Sequence, residues 1–253
     1  MSPRALVAAT LLSLAGGAAA ADCRVALALA LDVSGSVNFM EYRLQLDGVA
    51  SSLSDPEVIE ALTNVPGSHV ALSVYEWSGP NYQRVLVDWT MLDGPAGVAA
   101  IAARLRGTER LSADPSTAIG GSLAFGSRLM AAAPPCFRRV IDISGDGKSN
   151  TGPHPRDVEV PGDVMVNALV IGGEIIDPAE NRAVGLPELT AYFKSYVIRG
   201  PEAFTEVARG FFDFEAAMVR KLKRELTVLA VSEAPAPPSL PRPAAALPAS
   251  LRR

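Results

Sequence analysis

Residues Val25 to Leu31 form a nearly unbroken apolar run that stops abruptly in Asp32-Val33-Ser34-Gly35-Ser36. A strand with one wet face alternates polar and apolar residues, so an unbroken run belongs to a strand covered on both faces, as in parallel α/β sheets. The pattern returns at Arg138 to Ile143, ending in Ser144-Gly145-Asp146-Gly147, and at Val164 to Ile171, closed by Gly172-Gly173. Buried strands separated by helical stretches predict a doubly wound α/β domain with a central, mostly parallel sheet. With 253 residues, 49% of them hydrophobic, the chain can bury one sizeable core, and one domain is expected.

The first 21 residues stand apart from that core. Arg4 precedes an apolar run from Ala5 to Leu14, followed by Gly16, Gly17 and alanines through Ala21. This is the layout of a secretory signal with cleavage near Ala20 or Ala21. The stretch is too short and too alanine-rich for a membrane span of ~20 residues. Asp22 stands where a lipoprotein signal would need a small residue before Cys23. At the other end, residues 231–253 hold six prolines in 23 positions, a composition that cannot build a core. The expected organisation is a signal peptide over 1–21, a domain over 22–230 and a disordered tail over 231–253, in a protein exported to the periplasm or secreted.

The whole chain carries a formal net charge of −4; without Arg4, Arg242, Arg252, Arg253 and Glu233, residues 22–230 carry −7. So acidic a body has no electrostatic footprint for nucleic acid. Export also permits a disulfide. Cys23 lies nine residues before Asp32, and Cys136 ten before Asp146. If both aspartates end neighbouring parallel strands, both cysteines lie at the opposite end of those strands and can pair; two unrelated buried thiols are the other reading.

Between the strands, Asn38 with Glu41 three residues on marks a helix start with a capping box. Phe39, Tyr42, Leu46, Val49 and Leu53 follow at spacings of 3, 4, 3 and 4, one apolar helix face. A short helix fits between Asp55-Pro56 and Asn64-Val65-Pro66-Gly67. His69 to Trp77 and Gln83 to Trp89 read as strands joined by Ser78-Gly79-Pro80-Asn81, a link whose shortness favours an antiparallel hairpin at one edge of the sheet. Ala96 to Leu105 is a short alanine-rich helix, and Leu186 to Val197 is helical. Ala203 to Ala208 is the candidate last edge strand, although its propensity equally allows helix. Phe211 to Val228 is a final amphipathic helix with Phe211, Phe214, Met218 and Leu222 on one face. Its basic cluster, Arg220, Lys221, Lys223 and Arg224, suits the dipole late in a helix. His69 reads as an ordinary surface or rim residue.

Open α/β sheets place ligands at the C-terminal ends of their strands, where Asp32 and Asp146 both fall. Asp32, Ser34 and Ser36 present hard oxygens on a tight turn, the donor type that Mg²⁺ prefers; an ordinary polar turn would have the same residues. In Asp114-Pro115-Ser116-Thr117-Ala118, Thr117 opens a helix continuing through Ile119, Leu123 and Met130, and capping is the common role for such a threonine. Asp142 interrupts an apolar strand and needs a buried partner.

With these parts in order, the chain resembles von Willebrand factor type A (vWA) domains with a metal-ion-dependent adhesion site (MIDAS), over residues 24–228. The family's motif is D-x-S-x-S, a distant threonine, then an aspartate commonly followed by glycine. Asp32, Ser34 and Ser36 match the first part, Thr117 the second and Asp146 the third. The likeness is strongest to a bacterial exported subfamily whose function is not established. It implies adjacent strands ending in Asp32 and Asp146. It also implies Mg²⁺ or Mn²⁺ held directly by Ser34, Ser36 and Thr117, with Asp32 and Asp146 anchoring the shell. One position on the ion would be left for an Asp or Glu carboxylate of a protein partner. The implied function is metal-dependent protein binding without catalysis.

Other readings have less support. Gly145-Asp146-Gly147-Lys148-Ser149 has the Gly-Lys-Ser of a phosphate-binding loop, but Asp142 stands where that motif needs a glycine, and Asn150, Gly152, Pro153 and Pro155 follow where it needs a helix. No G-x-S-x-G elbow is present, and neither His69 nor His154 has an evident nucleophile partner. The segment between Asp146 and Val164 is loop-rich, with the family's helix there short or missing. A hydrolase or nucleotide-using enzyme would show turnover; a vWA domain with a purely structural metal would bind the ion but no acidic partner.

Overall fold

The first apolar run becomes β1 (Asp22–Asp32), the central strand of a computed structural model that describes residues 22–63, 65–92, 94–172 and 185–232. The chain continues through α1 (Phe39–Leu53), α2 (Pro56–Thr63), the hairpin β2 (Ser68–Trp77) and β3 (Gln83–Leu92), α3 (Pro95–Arg106) and α4 (Ile119–Ala131). It closes with β4 (Arg138–Gly145), β5 (Val164–Gly172), α5 (Leu186–Tyr196), β6 (Thr205–Arg209) and α6 (Phe214–Ser232). The six strands lie in the order β3-β2-β1-β4-β5-β6. Only the β2–β3 pair is antiparallel, which leaves β3 at an edge as the short turn requires. The expected signal peptide and residues 233–253 of the expected tail lie outside the described residues.

β1 is apolar throughout because helices cover both its faces. Val25, Leu27, Leu29 and Leu31 enter a core shared with α1, α2, α3 and α6, while Ala26, Ala28 and Ala30 pack with Ile119, Leu123 and Met130 of α4 and Phe193 of α5. Large residues on one face and alanines on the other set how closely each helix layer approaches the strand. Each fully buried leucine contributes roughly 1.5–3 kcal/mol. The capping box of α1 forms in full, with the Asn38 side chain accepting from the Glu41 amide at 3.0 Å and Glu41 Oε2 accepting from the Asn38 amide at 2.8 Å. Tyr42, Leu46, Val49 and Leu53 are buried, but Phe39 is exposed. The apolar face therefore starts one turn later than its periodicity indicated.

At the N-terminal end of β1, Cys23 and Cys136 are joined in a disulfide. The Phe137 amide donates to the Cys23 carbonyl at 3.0 Å, and Val25 pairs with Arg138. The bridge thus ties strands that are already neighbours, and the reading as unrelated thiols falls. The last strand takes the strand side of its open choice, parallel to β5 at the other edge, over Thr205–Arg209. Between β4 and β5 a single 3-10 turn, Pro155–Asp157, stands where a helix would otherwise cross.

The expectation of a basic cluster late in α6 is corrected at one residue. Lys221 is not a solvated member of a basic cluster: it is fully buried, with Nζ 2.7 Å from Asp142 Oδ2 and 2.8 Å from Glu225 Oε1. This is the missing partner of Asp142. Asn167 Nδ2 donates to the same Glu225 oxygen at 2.6 Å. Burial pushes the Asp142 carboxyl up to about 7, against the pull of the Lys221 ammonium. His69, expected as a surface or rim residue, takes the rim position at the start of β2 with 9% exposure, far along the strand from the motif at Asp32.

Candidate metal centre

Asp32 ends β1 fully buried. The strand halts there because neighbouring groups take over its backbone: Gln45 Nε2 donates to the Asp32 carbonyl at 2.8 Å, and the Val33 amide donates to the Trp77 carbonyl at 2.9 Å. The Ser34 amide turns back to donate to Asp32 Oδ1 at 2.8 Å. Asp32 Oδ2 has no hydrogen-bond partner among the described residues. It lies against Gly145, where an added Cβ would stand 3.3 Å from that oxygen and 3.2 Å from the Phe193 ring. A side chain at Gly145 would thus crowd the carboxylate.

The hydroxyls link the two strand ends. Ser34 Oγ lies 3.3 Å from Ser36 Oγ, and Ser36 Oγ donates to Asp146 Oδ1 at 2.7 Å. Asp146 follows β4 directly, and β4 pairs with β1 in parallel, so the two carboxylates sit at the same end of adjacent strands.

The Thr117 segment is clamped to both of the other loops. Gly35 donates its amide to the Pro115 carbonyl at 2.8 Å, and a Cβ on Gly35 would lie 2.9 Å from Pro115 Cβ and 3.0 Å from that carbonyl oxygen. Only glycine allows this approach. Asn150 holds Thr117 from the other side: its Oδ1 accepts from the Thr117 amide and its amide donates to the Thr117 carbonyl, both at 2.9 Å. Ala118, not Thr117, is the N-cap of α4, and that cap makes no side-chain hydrogen bond. Thr117 is buried beside the helix start without serving as its cap.

The electrostatics favour a cation. Burial, followed by the charge of Asp146, pushes the Asp32 carboxyl up to about 8, although hydrogen bonds from Ser34 oppose the shift. Burial also raises Asp146, with the Ser36 hydrogen bond opposing and the Glu41 charge adding. Two neighbouring carboxyl groups, Asp32 fully buried with an unpartnered oxygen and Asp146 half-buried, gain most from a positive ion. Among the described residues no group of three or more His, Cys, Asp or Glu side chains is placed to hold a metal. A cation here has to draw on hydroxyls, and the hard oxygens of Ser34, Ser36, Thr117, Asp32 and Asp146 fit Mg²⁺ or Mn²⁺ by chemistry.

Three neighbours of this site carried no motif signal. Asn150 stands in a loop with no periodicity. Gln45 is a polar residue on the buried side of α1, which is the one trace it leaves in the sequence. Arg110 Nη2 donates to the Val33 carbonyl at 3.3 Å and its guanidinium lies 5.5 Å from the centre of the Tyr42 ring, a fixed cation on the motif's own backbone. The phosphate-loop reading fails, since residues after Lys148 form loop and the Lys148 ammonium pairs with Glu188 Oε1 at 2.5 Å.

Sheet order, the antiparallel edge and the strand-end site together define a vWA-like α/β domain. The chain belongs to the family DUF1194, described as a protein of unknown function, whose model matches residues 22–230. No curated protein matches the sequence. Among solved structures it is similar to proximal thread matrix protein 1 of the mussel byssus, at 18% identity and a TM-score of 0.53, with 82% of this chain and 49% of that one covered. The chain thus spans about half the length of that protein, which has also been solved with a zinc-occupied MIDAS motif. The PilB minor pilin of Streptococcus sanguinis matches at 13% identity and a TM-score of 0.58, covering 84% and 63%. The conserved hypothetical protein BatB of Bacteroides thetaiotaomicron matches at 15% and 0.54, covering 82% and 99%. At these identities the likeness establishes the fold alone.

Proposed function

We propose that this protein is an exported, non-catalytic binding module that holds a divalent cation, Mg²⁺ or Mn²⁺, at the ends of β1 and β4 and engages an Asp or Glu carboxylate of a protein partner through it. The observation that carries the reading is the buried Asp32 carboxylate with an unpartnered oxygen, joined through Ser34 and Ser36 to Asp146. Ser34, Ser36 and Thr117 would hold the ion directly, with Asp32 and Asp146 completing the shell. A cation ligated largely by neutral hydroxyls keeps enough charge to attract an anionic ligand. The mussel protein with zinc in its MIDAS motif and the pilus proteins of the same fold support an interaction role. Export rests on the signal-like residues 1–21 and the disulfide. No helix of the described residues is long and apolar enough to cross a membrane.

The test is to capture partners from envelope extract on the wild type and on Thr117→Ala, each with Mg²⁺ and with EDTA. The reading expects proteins recovered only on the wild type with Mg²⁺. Recovery of the same proteins in all four conditions would contradict it and leave a structural ion as the better account.

A further inference from the structure

A cavity lies between α6 and the strand starts, at the end of the sheet opposite the candidate metal centre. Arg138, Glu202, Ala203, Phe204, Arg224 and Glu225 line it, and its volume is about 380 Å³, toward the small end of the ~300–1,000 Å³ usual for ligand sites. Arg138 opens β4, residues 202–204 lead into β6, and Arg224 and Glu225 lie on α6. Arg138 shares its face of β4 with Asp142, four residues on, and α6 covers that face through the Asp142–Lys221 pair.

The wall of this cavity carries charge of both signs that the fold leaves open. Arg138 Nη2 meets only a thioether, Met165 Sδ at 3.7 Å, and the Arg224 guanidinium rests 3.8 Å from the centre of the Phe204 ring. Neither is paired with a carboxylate among the described residues. Glu225, 5% exposed, gives Oε1 to Lys221 and Asn167, but its buried Oε2 has no hydrogen-bond partner among the described residues. A carboxylate oxygen buried without a donor is costly. Glu202 stands third in the turn Gly200–Ala203, closed by the Ala203 amide donating to the Gly200 carbonyl at 3.3 Å, and its φ is 64°. No other non-glycine residue among those described has a positive φ, and with Pro201 before it this turn position ordinarily goes to glycine. A charged side chain kept in a strained conformation beside a cavity points to a use for that side chain.

Charge decides the class of ligand. At the wall Arg138 and Arg224 are matched by Glu202 and Glu225, and behind it Lys221 is matched by Asp142, so the balance is zero. Two further cations are already engaged: Lys223 pairs with Glu57, and Arg24 donates to the Ala61 and Leu62 carbonyls. A simple anion would meet the two carboxylates and a simple cation the two guanidiniums, whereas a molecule bearing one charge of each sign complements both. We infer that this cavity binds a free α-amino acid, its carboxylate on Arg138 and Arg224 and its ammonium on Glu225 Oε2 and Glu202. The site is separate from the metal centre and needs no metal ion.

Thermal melting of the full chain in EDTA, with each protein amino acid in turn at millimolar concentration, is the first step. At least one should raise the melting temperature. Calorimetric titration then compares that amino acid with its N-acetyl derivative, which keeps only the carboxylate, and its amide, which keeps only the ammonium. The free amino acid should bind at least tenfold more tightly than either. Arg224→Gln, a change at an exposed position, should weaken it at least tenfold. Glu202→Gly should weaken it too, while the unliganded variant melts no earlier than the wild type, because glycine suits the turn. No rise in melting temperature with any amino acid overturns the inference. So does equal binding of either one-charge derivative, or an affinity that Arg224→Gln and Glu202→Gly both leave unchanged.

Discussion

Asp32 is the residue whose ionisation a bound cation would control. In the metal-free protein, burial and the nearby Asp146 keep its proton on to about pH 8, whereas a solvated aspartate loses it near 3.8. The folded state then holds more protons than the unfolded state between those values, so metal-free stability falls as pH rises through that window. A divalent ion replaces the proton and removes the cost. Because ion and proton compete, the gain in melting temperature from Mg²⁺ should be larger at pH 8 than at pH 6, by several degrees for a site loaded at 100 times its dissociation constant. Thermal melting at both pH values, with Mg²⁺ and with EDTA, checks this; Asp32→Asn should show no gain at either. Asp142 is raised as well, but it lies within β4 rather than at its end and cancels in the comparison. The candidate site residues could be picked out because D-x-S-x-S, a threonine and Asp146 all carry their chemistry in their identity. Lys221 was not: a lysine beside Arg220, Lys223 and Arg224 looks solvated, and only the packing of α6 on the sheet shows that it faces Asp142.

At the level of elements, α6 and β4 are coupled by that buried ion group. Lys221→Ala leaves Asp142 and Glu225 buried without their cation and should cost about 3–5 kcal/mol in a denaturation experiment. Lys221→Met with Asp142→Leu and Glu225→Gln removes all three charges of the group and should cost much less. The disulfide acts at the far end of β1, nine residues and roughly 30 Å from Asp32 at the rise of an extended strand. It closes a loop with a sequence separation of 113, for which the chain-entropy model assigns about 4–5 kcal/mol as an upper figure. Cys23→Ser/Cys136→Ser should therefore melt earlier but keep the same Mg²⁺ response, since β1 and β4 remain paired by their ladder. A bridge-free variant that loses the Mg²⁺ response would show the two ends to be coupled. The strands were readable because burial on both faces leaves an unbroken apolar run, and the hairpin because its link is too short for a crossover. Phe39 escaped because periodicity reports which side of α1 a residue occupies but not where the sheet beneath it ends. The 146–163 loop gave no period to read; what orders it at the site is Asn150 gripping Thr117 through two backbone-directed bonds.

On the scale of the whole molecule, the doubly wound order brings three loops, distant in sequence, to one end of the sheet. The Gly35–Pro115, Ser36–Asp146 and Thr117–Asn150 bonds fasten them to one another. Each of these bonds runs between protein groups, so the fold itself can assemble the site. An ion that binds such a preformed site should do so without a large change in secondary structure. The measurement that bears most directly on this account is calorimetric titration of MgCl₂ into the metal-stripped full chain, repeated with Asp32→Ala and Thr117→Ala. The account predicts saturable binding of one ion by the wild type, none by Asp32→Ala, and at least tenfold weaker binding by Thr117→Ala, with circular dichroism unchanged. Absence of binding heat at every temperature tried, or equal affinity in all three proteins, would contradict it.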